Sequence, residues 1–210
     1  MRAARRYSTD VVTVSTPARR TQQERRATTR AALLAAAREL FTERGFAGTG
    51  REDIAERAGV TRGALYHHFD SKAAAFVAVV DEVEAELVGR VVAAARRGST
   101  PFEQLQQASR AYMDACAEPD VARILLTDAP AVLGMAECRA RDERSCGRLL
   151  QRALDDGLDL PGDRDIAIPL LLGLLNEAAA LIASAPNPQR ERRRVAASVD
   201  AFLERLLRPA

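Results

Sequence analysis

The residues best suited to bind a partner lie together between positions 50 and 72, in GREDIAERAGVTRGALYHHFDSK. A small residue, Ala55, is followed four positions later by Gly59 and then by an apolar residue, Leu65. This spacing is typical of two short helices joined by a tight turn, because glycine readily adopts the left-handed conformation that ends a helix. In such a helix-turn-helix arrangement the second helix lies in the major groove of DNA. The pattern therefore predicts a DNA-facing helix over 62–69.

The first turn of that helix suits the bases of a duplex. Thr61 is expected to cap the helix at its N-terminus, where free amides and the helix dipole attract phosphate. Arg62 can offer a two-pronged guanidinium to guanine. Gly63 and Ala64 allow a close approach, and Ala64 also suits the methyl group of thymine. We expect these four residues to lie against DNA.

The rest of the helix offers groups that bind phosphate. Tyr66, His67 and His68 can donate hydrogen bonds to the backbone on either side. Lys72 is the only lysine in the chain. A cation at a helix N-terminus opposes the helix dipole, so an outside anion explains Lys72 better than the helix does. Adjacent helical side chains diverge and no third ligand is near, so we expect neither a metal nor a cofactor at the histidines.

The charge distribution is consistent with an anionic partner. Residues 1–75 carry 14 Lys and Arg against 8 Asp and Glu, whereas residues 76–210 carry 17 against 21. Nucleic acid is the commonest large anion, although a solvated charged surface would show the same pattern.

Two other classes of function were weighed. A helical enzyme is not favoured, because the sequence has no GxSxG, HExxH, phosphate-binding glycine loop or Cys-His pair at plausible spacing. A helical adaptor that binds an acidic protein would leave the polar face over 61–68 unexplained.

The whole chain is expected to be all-α. Apolar residues recur at three- and four-residue steps, and no segment of useful length alternates with the period of a strand. A mobile basic tail (1–26) should precede a DNA-binding domain (27–74) with three helices and a larger helical domain (75–210) for ligand binding and dimerisation. Pro130 is expected to break the chain between two helices. The nine predicted helices are 28–44, 51–58, 62–69, 72–97, 101–117, 119–128, 131–156, 163–183 and 189–207.

Residues 28 to about 74 resemble the DNA-binding domain of the TetR family of bacterial transcriptional regulators. The resemblance runs through ELFTERGF (39–46), Thr49, DIAERAGV (53–60), GALYHHF (63–69) and the Ser-Lys pair 71–72. It implies a cytoplasmic, all-helical homodimer, most simply a repressor that leaves a palindromic operator when a small molecule binds. Its implied phosphate contacts are Thr49, Tyr66, His67 and Lys72, and its implied groove contacts are Arg51, Arg62, Gly63 and Ala64.

The sequence departs from the family pattern at two positions. Gly50 stands where the family usually has Ser or Thr capping the second helix. We keep Gly50 in the DNA-facing set and expect its capping role to be lost or passed to Thr49. Asp70 replaces the usual Pro or Gly, which should alter the bend before Ser71.

The C-terminal region is read mainly through the resemblance. The last two helices, 163–183 and 189–207, are expected to pair with those of a second copy, because the first of them is apolar over more than one face. An internal helix without a partner remains the alternative. The apolar run 166–176 is short and contains Pro169, so no membrane span is expected. The sequence does not identify the small-molecule effector. The candidate residues for binding it are Tyr112, Met113, Cys116, Leu126, Leu133, Met135, Cys138, Asn176 and Glu177.

Overall fold

The computed structural model describes residues 21–207, so positions 1–20 of the predicted basic tail lie outside the described residues. The first helix begins earlier than predicted. Thr21 accepts a hydrogen bond from the Glu24 amide, and the Glu24 carboxylate accepts one from the Thr21 amide. This capping box starts the helix at Gln22, and residues 22–26, predicted to be part of a mobile tail, are helical.

Nine uninterrupted helices and no strand are found in residues 21–207. The N-terminal domain consists of α1 (Gln22–Arg44), α2 (Arg51–Arg57) and α3 (Arg62–His68). The C-terminal domain consists of α4 (Lys72–Ala95), α5 (Pro101–Cys116), α6 (119–133), α7 (135–155), α8 (Arg164–Ala183) and α9 (Pro188–Leu207). The all-α expectation is confirmed.

Gly134, rather than Pro130, separates α6 from α7. The part of α6 before Pro130 is π-helical (Ala122–Asp128), and the helix continues through Pro130 to Leu133. Gly134 then adopts a φ of +85°, which residues with a side chain rarely reach. The predicted break at Pro130 was wrong, because the π-helical turns before Pro130 depart from the regular i to i−4 hydrogen bonds that a proline ring obstructs.

Three phenylalanines hold the N-terminal domain to the start of α4. The ring centroids of Phe41 and Phe76 lie 5.1 Å apart, and Phe46 packs against both rings. Phe41 and Phe76 are fully buried. Edge-to-face contacts of this kind add to the free energy of apolar burial. They fix α1 and α4 relative to each other, and α2 and α3 pack on α1.

A second core lies between α5, α7, α8 and α9, with Met113, Leu154, Ile182 and Leu203 fully buried or nearly so. By length and composition alone, α8 could cross a membrane, because its mean hydropathy reaches 2.0 over an 18-residue window. The apolar run 166–176 is part of this longer apolar helix, which passes the test of length that the run alone does not. Only 28% of that window is buried within the chain.

Candidate functional site

The outer face of α3 is open to solvent. The side chain of Arg62 is 73% exposed, Tyr66 is 42% exposed, and His67 is also exposed. Leu65 is only 2% exposed and anchors the helix from below. The Thr61 hydroxyl accepts a hydrogen bond from the Ala64 amide at 3.2 Å, as predicted for the cap. The helix thus presents a polar face that a duplex could reach.

The turn between α2 and α3 sets the direction of that face. Gly59 adopts a φ of +65°, and the Val60 amide donates to the Ala55 carbonyl at 3.0 Å. This bond closes the end of α2 in the way that a left-handed glycine allows. Ile54 and Ala55 are buried beneath the turn. The predicted glycine and small-residue positions are therefore the ones that form it.

Arg51 connects the start of α2 to α3. Its guanidinium lies 4.5 Å from the centroid of the Tyr66 ring, and Nη1 donates to the Asp70 carbonyl at 3.5 Å. Arg51 is partly buried as a result. Stacking on the ring holds the guanidinium and the Tyr66 hydroxyl on the same side of the domain. Groove contact by Arg51 and phosphate contact by Tyr66 stay predictions.

Thr49 does not lie where the predicted phosphate contact requires. Its side chain is buried, and its hydroxyl donates to the carbonyls of Gly45, at 2.8 Å, and Leu40, at 3.2 Å. It closes the end of α1 and does not cap α2 either. The Asp53 carboxylate instead accepts from the Gly50 amide at 2.9 Å. The proposed transfer of the capping role to Thr49 was therefore wrong.

Lys72 has internal partners that the sequence did not suggest. Its Nζ donates to the Phe46 carbonyl at 2.8 Å and lies 4.3 Å from the centroid of the Phe46 ring. The argument that only an outside anion explains this lysine was therefore wrong. Because an ammonium group carries three protons, it can still reach a phosphate while holding the loop after α1.

The two histidines differ in their surroundings. Their ring centroids lie 5.5 Å apart, and His67 is the more exposed. Burial lowers the pKa of His68, and the nearby positive groups His67, Arg26 and Arg30 add to the effect. A neutral imidazole still donates one hydrogen bond, so His68 keeps the capacity for a phosphate contact. Within residues 21–207, no group of three potential metal ligands is found.

Two cavities, both open to solvent on one side, lie between the helices of the C-terminal domain. We name the cavity of about 370 Å³, lined by α4, α5, α7 and α8, the inner cavity, and the cavity of about 470 Å³, lined also by α6, the outer cavity. Seven of the nine candidate ligand residues line the outer cavity, namely Tyr112, Cys116, Leu126, Met135, Cys138, Asn176 and Glu177. Met113 is fully buried in the second core, and Leu133 packs against the first. Neither lines these two cavities, so the structure does not place them at the candidate ligand site.

A polar partition made of Tyr112, Asn176 and Asp142 separates the two cavities and lines both. The Tyr112 hydroxyl donates to Asn176 Oδ1 at 2.8 Å, and Asn176 Nδ2 donates to Asp142 Oδ2 at 2.7 Å. Burial raises the pKa of Asp142 and holds that of Tyr112 well above its ordinary value. The sequence analysis named Tyr112 and Asn176 but missed Asp142. This acid lies in a run of charged residues, where no apolar periodicity shows which side chains face inward.

Ion pairs and hydrogen bonds connect the two domains. The Asp128 carboxylate accepts from the Phe46 amide at 2.7 Å. Arg38 of α1 binds both Glu86 of α4 and Asp120 of α6, at 2.7 and 2.6 Å. These contacts make the end of α1 sensitive to any movement of α4 or α6.

Large apolar side chains are left uncovered on α8 and α9. The exposed fractions are 61% for Ile166, 70% for Leu170, 50% for Leu181, 57% for Phe202 and 49% for Leu206. Large apolar side chains left in solvent on two packed helices are typical of a protein interface. We call these five residues the α8–α9 surface.

Two family models match the chain. The model described as "Bacterial regulatory proteins, tetR family" matches residues 33–79, and that described as "Tetracyclin repressor-like, C-terminal domain" matches residues 102–206. A TetR-family transcriptional regulator from Pectobacterium atrosepticum has a similar structure, with a TM-score of 0.75 and 35% identity. That match covers 91% of this chain and all of the other.

Curated relatives match over part of the chain. The transcriptional activator FasR of Mycolicibacterium smegmatis is 39% identical over 85 residues, which is 40% of this chain and 39% of FasR. The transcriptional regulator TtgR of Pseudomonas putida is 49% identical over 65 residues, or 31% of this chain and 30% of TtgR. The matched parts thus span well under half of these relatives, both of which are named as regulators and not as enzymes.

Proposed function

The chain belongs to the TetR family of bacterial transcriptional regulators, and from this premise we propose that it acts in the cytoplasm as a homodimeric repressor. Each subunit would place α3 in the major groove of one half of a palindromic operator. A small molecule in the C-terminal cavities would release the DNA. The division into a DNA-binding domain (27–74) and a ligand-binding and dimerisation domain (75–210) is part of this proposal.

The observation that carries the proposal is the exposure of the polar face of α3 above a buried Leu65. A helix that served only to complete the core would not leave an arginine side chain 73% exposed beside an exposed tyrosine and histidine. Thr61, Gly63 and Ala64 complete the first turn that would lie closest to the bases. Gly50 and Arg51, at the start of α2, lie beside it.

Dimerisation would occur through the α8–α9 surface. A second copy would cover apolar side chains that the single chain leaves in solvent, and this also accounts for a helix as apolar as α8 without a membrane. The twofold axis would then hold two α3 helices about 34 Å apart, one turn of DNA.

Effector binding would act on α4. This helix lines both cavities and begins at Lys72, beside the loop that the Asp128 contact holds. A ligand that binds better to one position of α4 shifts the population of the DNA-bound form by its difference in affinity. The shift would reach α3 because α1 and α4 share the three phenylalanines.

A mobility shift with the DNA flanking the chain's own gene tests the proposal. We expect a retarded complex that excess random DNA does not remove. Equal competition by random and flanking DNA would contradict sequence-specific binding, and the absence of any complex would favour the adaptor hypothesis. A promoter fusion then separates repression from activation, the role named for FasR.

Arg62 and Lys72 are expected to contribute differently to DNA affinity. Arg62→Ala should lose discrimination at one or two base pairs, by about 1–3 kcal/mol, because it removes a base contact. Lys72→Ala should weaken all sequences similarly and lower the salt slope by about one, because it removes a phosphate contact. Fluorescence anisotropy on operator and random DNA over a series of salt concentrations measures both effects.

Arg97→Ala serves as the matched control, because Arg97 is exposed at the far end of α4. Thermal unfolding of Lys72→Ala shows how much of its effect comes from the lost Phe46 contact. Equal losses on operator and random DNA for both variants would contradict the division of roles.

A further inference from the structure

The inner cavity is elongated, and its two ends differ. Ser109 and Tyr112 lie one turn apart on α5 near Asp142, whereas Gln104, Arg96 and Arg152 line the other end. The eight residues from Gln104 to Tyr112 span roughly 12 Å of helix, at about 1.5 Å per residue. Apolar side chains of α4, α7 and α8 line the length between the two ends.

Asp142 is an acid without a cation. Its Oδ2 accepts from Asn176, and its Oδ1 makes no hydrogen bond with any residue between 21 and 207. No ion pair involves Asp142 in that part of the chain either, since the neighbouring Arg141 binds Asp81 and Glu84. Burial removes water from the charged carboxylate. Because no cation pairs with Asp142, much of the hydration free energy that is lost on folding is not recovered.

Ser109 gives an independent indication that a polar group belongs here. The residue is 1% exposed, and its Oγ has no hydrogen-bond partner in the described chain, although it lines the cavity. A buried hydroxyl without a partner is rare in folded proteins, because leaving it unpaired costs free energy. The Tyr112 proton is already given to Asn176. Asp142 Oδ1 and the Ser109 oxygen are therefore unbonded acceptors within the described chain, and a ligand that carries several donors can bond them.

We propose that the inner cavity binds a lipophilic amine as its protonated cation, with the ammonium group against Asp142 and Ser109 and the apolar body along α5 towards Arg96. The inference rests on the proposed role of the cavities as the effector site. The cation would supply the positive charge that Asp142 lacks, and the ammonium protons would satisfy the Ser109 hydroxyl. A carboxylate ligand would meet Asp142 as a like charge and is disfavoured at this end.

Three compounds of one shape test the charge preference, namely phenylbutylamine, phenylbutanol and phenylbutyrate. Calorimetric titration of the full chain without DNA should show the amine binding at least about tenfold more tightly than the alcohol. The carboxylate should gain no affinity from Asp142, because only the end with Arg96 and Arg152 offers cations to it. Equal affinity for amine and alcohol, or no binding of the amine, would overturn the proposal.

Asp142→Asn should abolish the amine preference while keeping the alcohol affinity, because an asparagine oxygen can still accept from Asn176. Asp156→Asn is the matched control, since this exposed acid lines the opposite end of the same cavity and should leave the preference unchanged. A preference that survives Asp142→Asn, or that Asp156→Asn removes equally, would contradict the assignment.

Operator binding is measured separately by anisotropy. Amine binding without any DNA complex would leave the ligand assignment standing and reject the proposed function. A specific DNA complex with no amine preference would support the proposed function and reject the ligand assignment.

Discussion

Glutamate at both Leu170 and Phe202 is expected to give a folded monomer whose affinity for operator DNA is lower by about 100-fold or more. The two side chains are 70% and 57% exposed in the single chain, so folding does not depend on their burial. In a dimer formed through the α8–α9 surface, the substitution would bury unpaired carboxylates against apolar side chains, at a cost of several kcal/mol. Losing the second subunit removes the gain that comes from binding two half-sites together.

Sedimentation equilibrium at micromolar concentration and anisotropy on the operator measure the two effects. Ala85→Glu combined with Ala93→Glu is the control, because both alanines are exposed on α4, away from the α8–α9 surface, and the pair gains the same charge. A double variant that still sediments as a dimer would show that the subunits meet elsewhere. A monomer of wild-type DNA affinity would show that pairing is not needed for binding.

Lysine at Asp128 is expected to lower the free energy of unfolding by about 3 kcal/mol. The Asp128 side chain is only 13% exposed, and it holds the Phe46 amide and faces Arg123 at 3.5 Å. The substitution leaves that amide without its acceptor and places a second cation beside Arg123. For a chain of this size the melting temperature should fall by roughly 6–12 °C.

Asp159→Lys is the comparison for charge alone, since Asp159 is exposed in the loop before α8. Differential scanning calorimetry of both variants, at one protein concentration, separates the two effects. Asp128→Asn should fall between wild type and Asp128→Lys, because a neutral oxygen can still accept from the amide. A melting temperature for Asp128→Lys within the range of Asp159→Lys would show that this contact does not stabilise the interdomain arrangement.

Most helix ends were predictable because local chemistry sets them. Ser71 and Thr100 each accept a hydrogen bond from an amide in the first turn, and the helices start at 72 and 101 as predicted. The start of α1 was missed because residues 22–26 carry no apolar periodicity. Only the paired Thr21 and Glu24 would have indicated it.

The exposed face of α3 was also predictable. Leu65 is the only aliphatic residue larger than alanine in 62–68, so only one side of this helix can be buried in the core. Thr49 and Lys72 were misread because their partners belong to the loop that follows α1. The sequence gives no sign that the Phe46 carbonyl points at Lys72. Asp142 and Ser109 were missed for a similar reason, as a single acid or hydroxyl on a helix does not reveal whether its surroundings satisfy it.

Methylation interference tests most directly whether α3 reads the major groove as one of a twofold pair. Operator fragments methylated at guanine N7 would be mixed with the protein, and bound and free DNA separated and cleaved. We expect interference in two clusters whose centres lie about 10 base pairs apart, with the clusters weakened in Arg62→Ala. Binding that tolerates N7 methylation throughout, or that is blocked only by methylation in the minor groove, would contradict the account.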